Sequence, residues 1–146
     1  MKEAKKLFPL LKMHRQGFTL IELLLSVALI FAVGAIGLPV YQSAQLRNDL
    51  ILTQETTVQM LRRAQFNSLS GASDGPWGVS VQSASTVLFQ GATYATRDTT
   101  QDVIAVFPGV VTPSGVSEVV FSVLQGLPST TGVITFTTSN GENRTI

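Results

Sequence analysis

The feature that most constrains the fold is an apolar run near the start of the 146-residue chain. Residues 18–40 read FTLIELLLSVALIFAVGAIGLPV and contain one charged side chain, Glu22. As a helix, this run would be about 34 Å long at about 1.5 Å per residue, enough to cross a hydrocarbon core of about 30 Å. The sequence therefore predicts a transmembrane helix, and it raises the question of why a costly carboxylate lies near its start.

Charged residues are distributed unevenly on the two sides of this run. Residues 1–17 hold five of the ten basic residues and one acid, whereas the chain from Phe18 onward holds five arginines, eight acids and no lysine. This asymmetry predicts that the N-terminal head stays in the cytoplasm and that the C-terminal part is exported. Because the exported part is mildly acidic, its charge does not favour nucleic-acid binding.

An ordinary cleaved signal peptide is the rival interpretation of the apolar run. It predicts a shorter run that is followed by small residues at a cut site. Here the run is long, and Tyr41 and Gln42 follow it directly with a continuing helical pattern. A retained membrane helix is therefore the favoured interpretation.

Residues 41–69 contain neither proline nor glycine and continue the helix. An amphipathic face is predicted from residues at helical spacing: Ile51, Val58, Leu61, Gln65 and Leu69. With the apolar run, this gives a spine of about 50 residues, far longer than a usual globular helix. Gly34, Gly37 and Pro39 interrupt the pattern, and an interior proline costs about 3 kcal/mol, so we expect a kink at the membrane exit.

Turn residues at positions 70–78 end the helix, after which the pattern changes to a period of two. Strand-like segments lie at residues 77–82, 86–90, 102–107, 118–124 and 132–138, and residues 143–146 can open one more. A helix followed by antiparallel strands predicts an α+β fold, with the β domain completing its core on the second half of the helix. The predicted organisation is a cytoplasmic leader at 1–17, a transmembrane helix at 18–40, an amphipathic helix at 41–70 and a β domain at 71–146.

The sequence offers little that could support catalysis. The single histidine, His14, precedes the membrane segment and cysteine is absent, which excludes cysteine chemistry and any histidine-based site in the exported part. Asp98 and Asp102 could form a carboxylate pair, but a solvated, threonine-rich loop is favoured there. Trp77 and Phe89 are interpreted as core aromatic residues. We therefore expect neither an enzyme nor a cofactor or metal site.

One short motif is specific. Gly17 stands at the border between the basic head and the apolar run, and GFTLIELL at residues 17–24 resembles the class III signal of type IV pilins and of the pseudopilins of type II secretion. The resemblance implies that a prepilin peptidase cuts after Gly17 and that Phe18 becomes the N-methylated terminus. It also implies that Glu22 pairs with the terminal amine of a neighbouring subunit, and that Gly34, Gly37 and Pro39 lie where such helices unwind in filaments.

The β domain is similar, more loosely, to the H-type pseudopilins and T-type minor pilins. The residues that carry this resemblance are Phe121, Gly126, Pro128, Gly132, Ile134 and Thr135. The implied protein is a structural subunit, stored in the inner membrane with its N terminus in the cytoplasm and then polymerised into an extracellular pilus or a periplasmic pseudopilus. The implied partners are other pilins, prepilin peptidase, a membrane platform protein, an assembly ATPase and membrane lipid.

A minor tip pilin that binds DNA or a surface is the alternative function. Some T-type minor pilins bind DNA through basic residues near the C terminus. In this chain that region offers Arg144 alone, close to Glu142, so DNA binding is not favoured.

Overall fold

The computed structural model describes residues 17–146, without the side chains of residues 36–39. Most of the predicted leader, including His14, therefore lies outside the described residues. The chain divides into two compact units, Met1–Pro39 and Val40–Ile146. Each unit is described by itself.

A single long helix, α1, runs through Leu20–Leu69 and has residues in both units. The predicted spine of about 50 residues is confirmed. Positions 34, 37 and 39 are included in the helix. The expected unwinding at these positions concerns assembled filaments and stays a prediction.

Strands occupy most of the Val40–Ile146 unit after the helix. They are β1 (Trp77–Val81), β2 (Ser85–Gln90), β3 (Asp98–Val106), β4 (Val111–Gly115), β5 (Glu118–Phe121), β6 (Ile134–Thr138) and β7 (Asn143–Thr145). They form two antiparallel sheets, with strand orders β3-β2-β1-β5 and β4-β6-β7. The α+β class is confirmed.

Two strands differ from the prediction. Strand β4 was not predicted, because its sequence includes Pro113 and Gly115, which are typical of turns. Strand β3 begins at Asp98, so the predicted threonine-rich loop at residues 98–102 is wrong. Asp98 pairs with Gln90 of β2 beyond a bulge, and residues 98–101 are exposed at the edge of the sheet, whereas Asp102 is half-buried.

The core of this unit lies between the second half of α1 and the two sheets. It consists of Leu50, Met60, Ala64, Trp77, Val79, Val81, Leu88, Phe107, Val111, Phe121, Ile134 and Phe136. The rings of Phe107 and Phe136 meet edge to face with centroids 5.6 Å apart. The prediction that the helix completes the core of the β domain is confirmed.

The helix face that enters the core is shifted from the predicted one. Its buried positions are Leu50, Thr53, Thr57, Met60, Ala64 and Ser68, which recur every three or four residues. Of the predicted face, Ile51, Val58 and Leu61 are half-buried, and Gln65 and Leu69 are exposed. The prediction failed because half of the buried positions carry small hydroxyl side chains that a hydrophobic pattern does not count.

Hydrogen bonds explain why these hydroxyl groups tolerate burial. The Thr57 hydroxyl donates to the Thr53 carbonyl oxygen at 2.9 Å and lies 3.1 Å from the Thr86 hydroxyl oxygen on β2. The Ser68 hydroxyl donates to the Phe121 carbonyl oxygen at 3.1 Å and accepts from the Trp77 amide at 2.9 Å. Buried polar groups with such partners avoid the desolvation cost of an unsatisfied donor or acceptor.

The opposite face of the first sheet is covered by the segment between β2 and β3. Successive side chains of a strand alternate between faces, so Phe89 lies opposite to Leu88. Its ring meets Tyr94 edge to face at 5.6 Å, and the Arg97 guanidinium lies 3.8 Å from the Tyr94 ring centroid. The predictions that Trp77 and Phe89 are core aromatic residues are confirmed, since both are buried.

Candidate functional site

The candidate site is the segment that leads into α1. Residues 17–19 are not helical, and the helix begins at Leu20. Gly17, Phe18, Thr19 and Glu22 border one open depression, and the Phe18 side chain is 82% exposed. The structure therefore brings together the two residues of the predicted cleavage site and the predicted assembly residue. Their roles in cleavage, methylation and assembly stay predictions.

Thr19 is the N-cap of α1. Its hydroxyl oxygen accepts from the Glu22 amide at 3.3 Å, and its carbonyl oxygen accepts from the amides of Glu22 and Leu23 at 3.1 Å each. This satisfies amide groups at the helix start that have no partner within the helix. The sequence analysis overlooked this residue, although Thr-x-x-Glu ahead of an apolar run is the sequence signal of a capping box.

Glu22 occupies the third position of the helix. A carboxylate in the first turn interacts favourably with the positive end of the helix dipole, typically by about 0.3–1 kcal/mol at an exposed site. Among the described residues, Glu22 forms no ion pair. The local fold thus explains why an acidic residue suits this position, and it leaves the carboxylate available to another group.

The apolar side chains that follow Glu22 are exposed throughout the described part of the first unit. They include Leu23, Leu24, Leu25, Leu29, Ile30, Phe31 and Val33. Within residues 17–146, α1 is the helix that is long and apolar enough to cross a membrane, and its apolar window is entirely unburied. Such a surface requires lipid or other apolar helices around it.

The three residues predicted to kink or unwind the helix lie about three turns or more beyond Glu22. Gly34 has open space around its Cα, since an added Cβ would meet no atom within 4 Å. Gly37 and Pro39 fall within α1, and the structure describes only their place in the helix. These residues do not contribute to the depression formed by Gly17, Phe18, Thr19 and Glu22.

The two aspartates considered as a catalytic pair have separate partners. Asp98 accepts from the hydroxyl and the amide of Thr100 at 2.7 and 2.9 Å, and these bonds lower the pKa of Asp98. Asp102 binds Arg97 through Oδ2 at 2.8 Å from Nε, a contact that raises the pKa of Arg97. The arrangement is that of a polar edge and a structural ion pair.

No metal site is formed by the part of the chain that the structure describes. In residues 17–146, no group of three or more histidine, cysteine, aspartate or glutamate residues is placed to hold an ion. The depression at the start of α1 has a single carboxylate, Glu22, which is too few ligands for a dedicated cation site.

Comparison with known proteins identifies the N-terminal region. Residues 12–38 match the family model of the prokaryotic N-terminal methylation motif. No curated protein and no solved structure is significantly similar to the chain. The match includes Gly17, Phe18, Thr19 and Glu22, and it ends before the Val40–Ile146 unit.

Proposed function

We propose that this pilin-like chain, which at residues 12–38 carries the class III signal of type IV pilins and pseudopilins, is a structural subunit of a pilus or of a type II secretion filament. The methylation motif indicates a subunit that prepilin peptidase processes. In the proposal, cleavage after Gly17 makes Phe18 the first residue, and its amine is then methylated. The motif family is structural, and the chain is proposed to act by assembly.

The observation that carries the proposal is the place of the motif in the fold. The expected cleavage site lies directly before α1, and the helix that follows has an apolar surface that nothing in the described chain covers. Before assembly, lipid would surround this surface. In a filament, the same helices of neighbouring subunits would replace the lipid, so one apolar surface serves storage and polymerisation.

Glu22 supplies the specificity of assembly in this proposal. A charged side chain at the centre of a membrane helix costs about 2.5–3.5 kcal/mol on insertion scales, and less near an interface. An ion pair at about 4 Å returns about 4 kcal/mol at an effective dielectric constant near 20. A subunit whose Glu22 meets the Phe18 amine of its neighbour therefore offsets the cost, whereas a misplaced subunit does not.

Partners and location follow from the same scheme. The prepilin would stay in the inner membrane with its N terminus in the cytoplasm until a platform protein and an assembly ATPase drive polymerisation. The apolar helices would form the filament core, and the Val40–Ile146 unit would form its surface. The finished filament would be an extracellular pilus or a periplasmic pseudopilus.

The test replaces the charge of Glu22 in the full chain, expressed with its peptidase and assembly machinery. Glu22→Ala should insert into the membrane at least as well as the unchanged protein, because a charge has been removed from the membrane segment. Its incorporation into filaments should fall at least tenfold, as expected for a loss of more than about 1.4 kcal/mol in the free energy of assembly. The measurement is an immunoblot that compares the amount in sheared filaments with the amount left in the membrane.

Ser26→Ala is the matched control. It removes a polar group one turn further along α1, where the Ser26 hydroxyl donates to the Glu22 carbonyl oxygen at 2.7 Å, and it changes no charge. Incorporation of this variant should equal that of the unchanged protein. Normal incorporation of Glu22→Ala would show that the pairing of Glu22 with the Phe18 amine is wrong.

The alternative of a tip pilin that binds DNA draws no support from the basic residues near the C terminus. Arg47 forms a 2.9 Å ion pair with Glu142, and Arg144 donates to the Gln54 side-chain oxygen at 3.3 Å. Each guanidinium thus has a bond within the protein, and Glu142 places a negative charge beside Arg47. Salt-sensitive retardation of DNA by the Val40–Ile146 fragment would restore this alternative.

A further inference from the structure

We propose that Thr19 is a positioning residue for proteolytic processing, because its N-cap ends α1 before the helix reaches the Gly17–Phe18 peptide bond. The inference rests on the proposed function, in which that bond is cut. It adds a role for a residue that touches neither the bond nor, in the proposed filament, the neighbouring amine. Thr19 would act by fixing where the helix starts.

Two observations about the helix start carry the inference. First, residues 17–19 are not helical, although an apolar sequence without proline continues from Phe18 into the helix. Second, the Glu22 amide bonds both the hydroxyl and the carbonyl oxygen of Thr19, so its demand for an acceptor is met without residues 17 and 18. The capping hydroxyl and the non-helical cleavage site are therefore parts of one local structure.

Without the cap, the helix would gain by extending towards the N terminus. In an extended α1, the Glu22 amide would bond the Phe18 carbonyl oxygen and the Ile21 amide would bond the Gly17 carbonyl oxygen, following the i to i−4 pattern. Extending a helix is costly in water. At a membrane surface, however, backbone amides without a hydrogen-bond acceptor are also costly, and an added turn of helix would supply acceptors for the amides at the start of α1. Gly17 also opposes this extension, by about 1 kcal/mol relative to alanine, which is similar to the typical contribution of an N-cap.

The chemistry of the cut explains why helix extension would hinder it. Hydrolysis adds one water molecule across the amide: the bond between the Gly17 carbonyl carbon and the Phe18 nitrogen breaks, and a Gly17 carboxylate and a Phe18 amine form. The attacking oxygen must approach the carbonyl carbon while donors of the peptidase stabilise the developing oxyanion. In an extended helix, the Gly17 oxygen would already accept from Ile21. In the observed conformation an added Cβ at Gly17 would meet no atom of residues 17–146 within 4 Å, so the described part of the chain does not cover the Gly17 Cα.

The test compares cleavage of five full-length prepilins, the unchanged protein and four variants, by purified prepilin peptidase in detergent micelles. Thr19→Val keeps the branched shape but removes the accepting oxygen, whereas Thr19→Ser and Thr19→Asn retain an acceptor for the cap. Thr19→Val should raise KM by up to about threefold and leave kcat unchanged, since only the non-helical fraction binds. Loss of a typical N-cap contribution of about 1 kcal/mol shifts the equilibrium about fivefold towards the helical form, but the non-helical form prevails in the unchanged protein, so its fraction falls by less than that factor. Thr19→Ser and Thr19→Asn should be cleaved like the unchanged protein.

A structural readout separates positioning from direct side-chain recognition. In the Thr19→Val prepilin, the Cα chemical shifts of Gly17 and Phe18 should move towards helical values and the Ile21 amide should exchange more slowly. Ser26→Ala, which removes a hydroxyl group inside the helix, should change neither the shifts nor KM. These readouts do not depend on filament formation.

The outcomes distinguish this inference from the proposed function. If the unchanged protein is cut after Gly17 and Thr19→Val is cut equally well, the inference is wrong and the proposed function stands. If Thr19→Ser and Thr19→Asn are as slow as Thr19→Val, the peptidase reads the threonine side chain itself, and the positioning role is again overturned. If the unchanged protein is not cut after Gly17, both fail.

Discussion

Three buried positions of α1 carry hydroxyl groups, and two of these groups bond the strands that the helix lies against. Thr53, Thr57 and Ser68 are each less than 5% exposed, and their hydroxyl groups find partners on the helix and on the strands beside it. A hydrogen bond needs a particular direction between donor and acceptor, whereas an apolar contact has little directional preference. Thr57 and Ser68, whose hydroxyl groups bond strand residues, therefore constrain the rotation of the helix on its sheets, whereas Thr53 bonds the Asp49 carbonyl oxygen of its own helix.

Thr57→Val should destabilise the Val40–Ile146 unit by about 1–3 kcal/mol, because the Thr86 hydroxyl loses its partner while it stays buried. Thr86→Val should cost less, since the Thr57 hydroxyl still donates to the Thr53 carbonyl oxygen. The double variant should cost less than the sum of the two. Urea unfolding of the Val40–Ile146 fragment, followed by fluorescence of the buried Trp77, measures all three free energies of unfolding.

Thr112→Val is the control, because Thr112 is an exposed residue of β4 and donates to the Thr137 carbonyl oxygen at the surface. It should change the free energy of unfolding by less than about 0.5 kcal/mol. Strictly additive effects of Thr57→Val and Thr86→Val would contradict the hydrogen bond between their hydroxyl groups.

At the scale of elements, the sequence predicted those helices and strands that have a long or regular hydrophobic pattern. The length of α1 followed from an uninterrupted helical pattern, and five strands followed from alternating Val, Ile, Phe and Thr. Strand β4 was missed because Pro113 and Gly115 are accommodated on an edge strand, a context that only the tertiary fold supplies. The helix face was misplaced because Thr57 and Ser68 become favourable in a core only when partners from distant strands reach them.

Strand β7 is linked to α1 by polar contacts near the C terminus. Glu142, just before β7, forms a 2.9 Å ion pair with Arg47, and the Gln54 side-chain amide donates to the Thr145 carbonyl oxygen at 2.9 Å. Both contacts join residues far apart in the sequence. They hold the edge of the second sheet against the helix.

Glu142→Gln should reveal this link through the pH dependence of stability. Hydrogen bonding to Arg47 lowers the pKa of Glu142 in the folded protein below its ordinary value of 4.5. At pH values near the two pKa values, the folded protein therefore binds fewer protons than the unfolded chain. The stabilisation by the Glu142 charge is present above pH 4.5 and is lost as the pH falls through the folded pKa. The urea midpoint of the Val40–Ile146 fragment should exceed that of Glu142→Gln at pH 7, and the difference should vanish at strongly acidic pH. A difference independent of pH would contradict a role for the Glu142 charge.

At the scale of the whole molecule, the proposed function rests on a short N-terminal motif. Gly17, Phe18 and Glu22 were predicted from GFTLIELL, and the fold brings them to one depression at the start of α1. Thr19 was missed as a cap although Thr-x-x-Glu ahead of an apolar run is the sequence signal of a capping box. The β domain carries no comparable motif, so its place on the filament surface is inferred from the helix to which it is joined.

The mass of the mature N terminus tests the central claim most directly. The chain should be recovered from membranes that contain prepilin peptidase, and its N-terminal peptide should be sequenced by mass spectrometry. The account predicts a chain that lacks residues 1–17 and begins with Phe18 carrying a methyl group on its amine. A chain that keeps the leader, or that is cut after the apolar run instead of after Gly17, would contradict it.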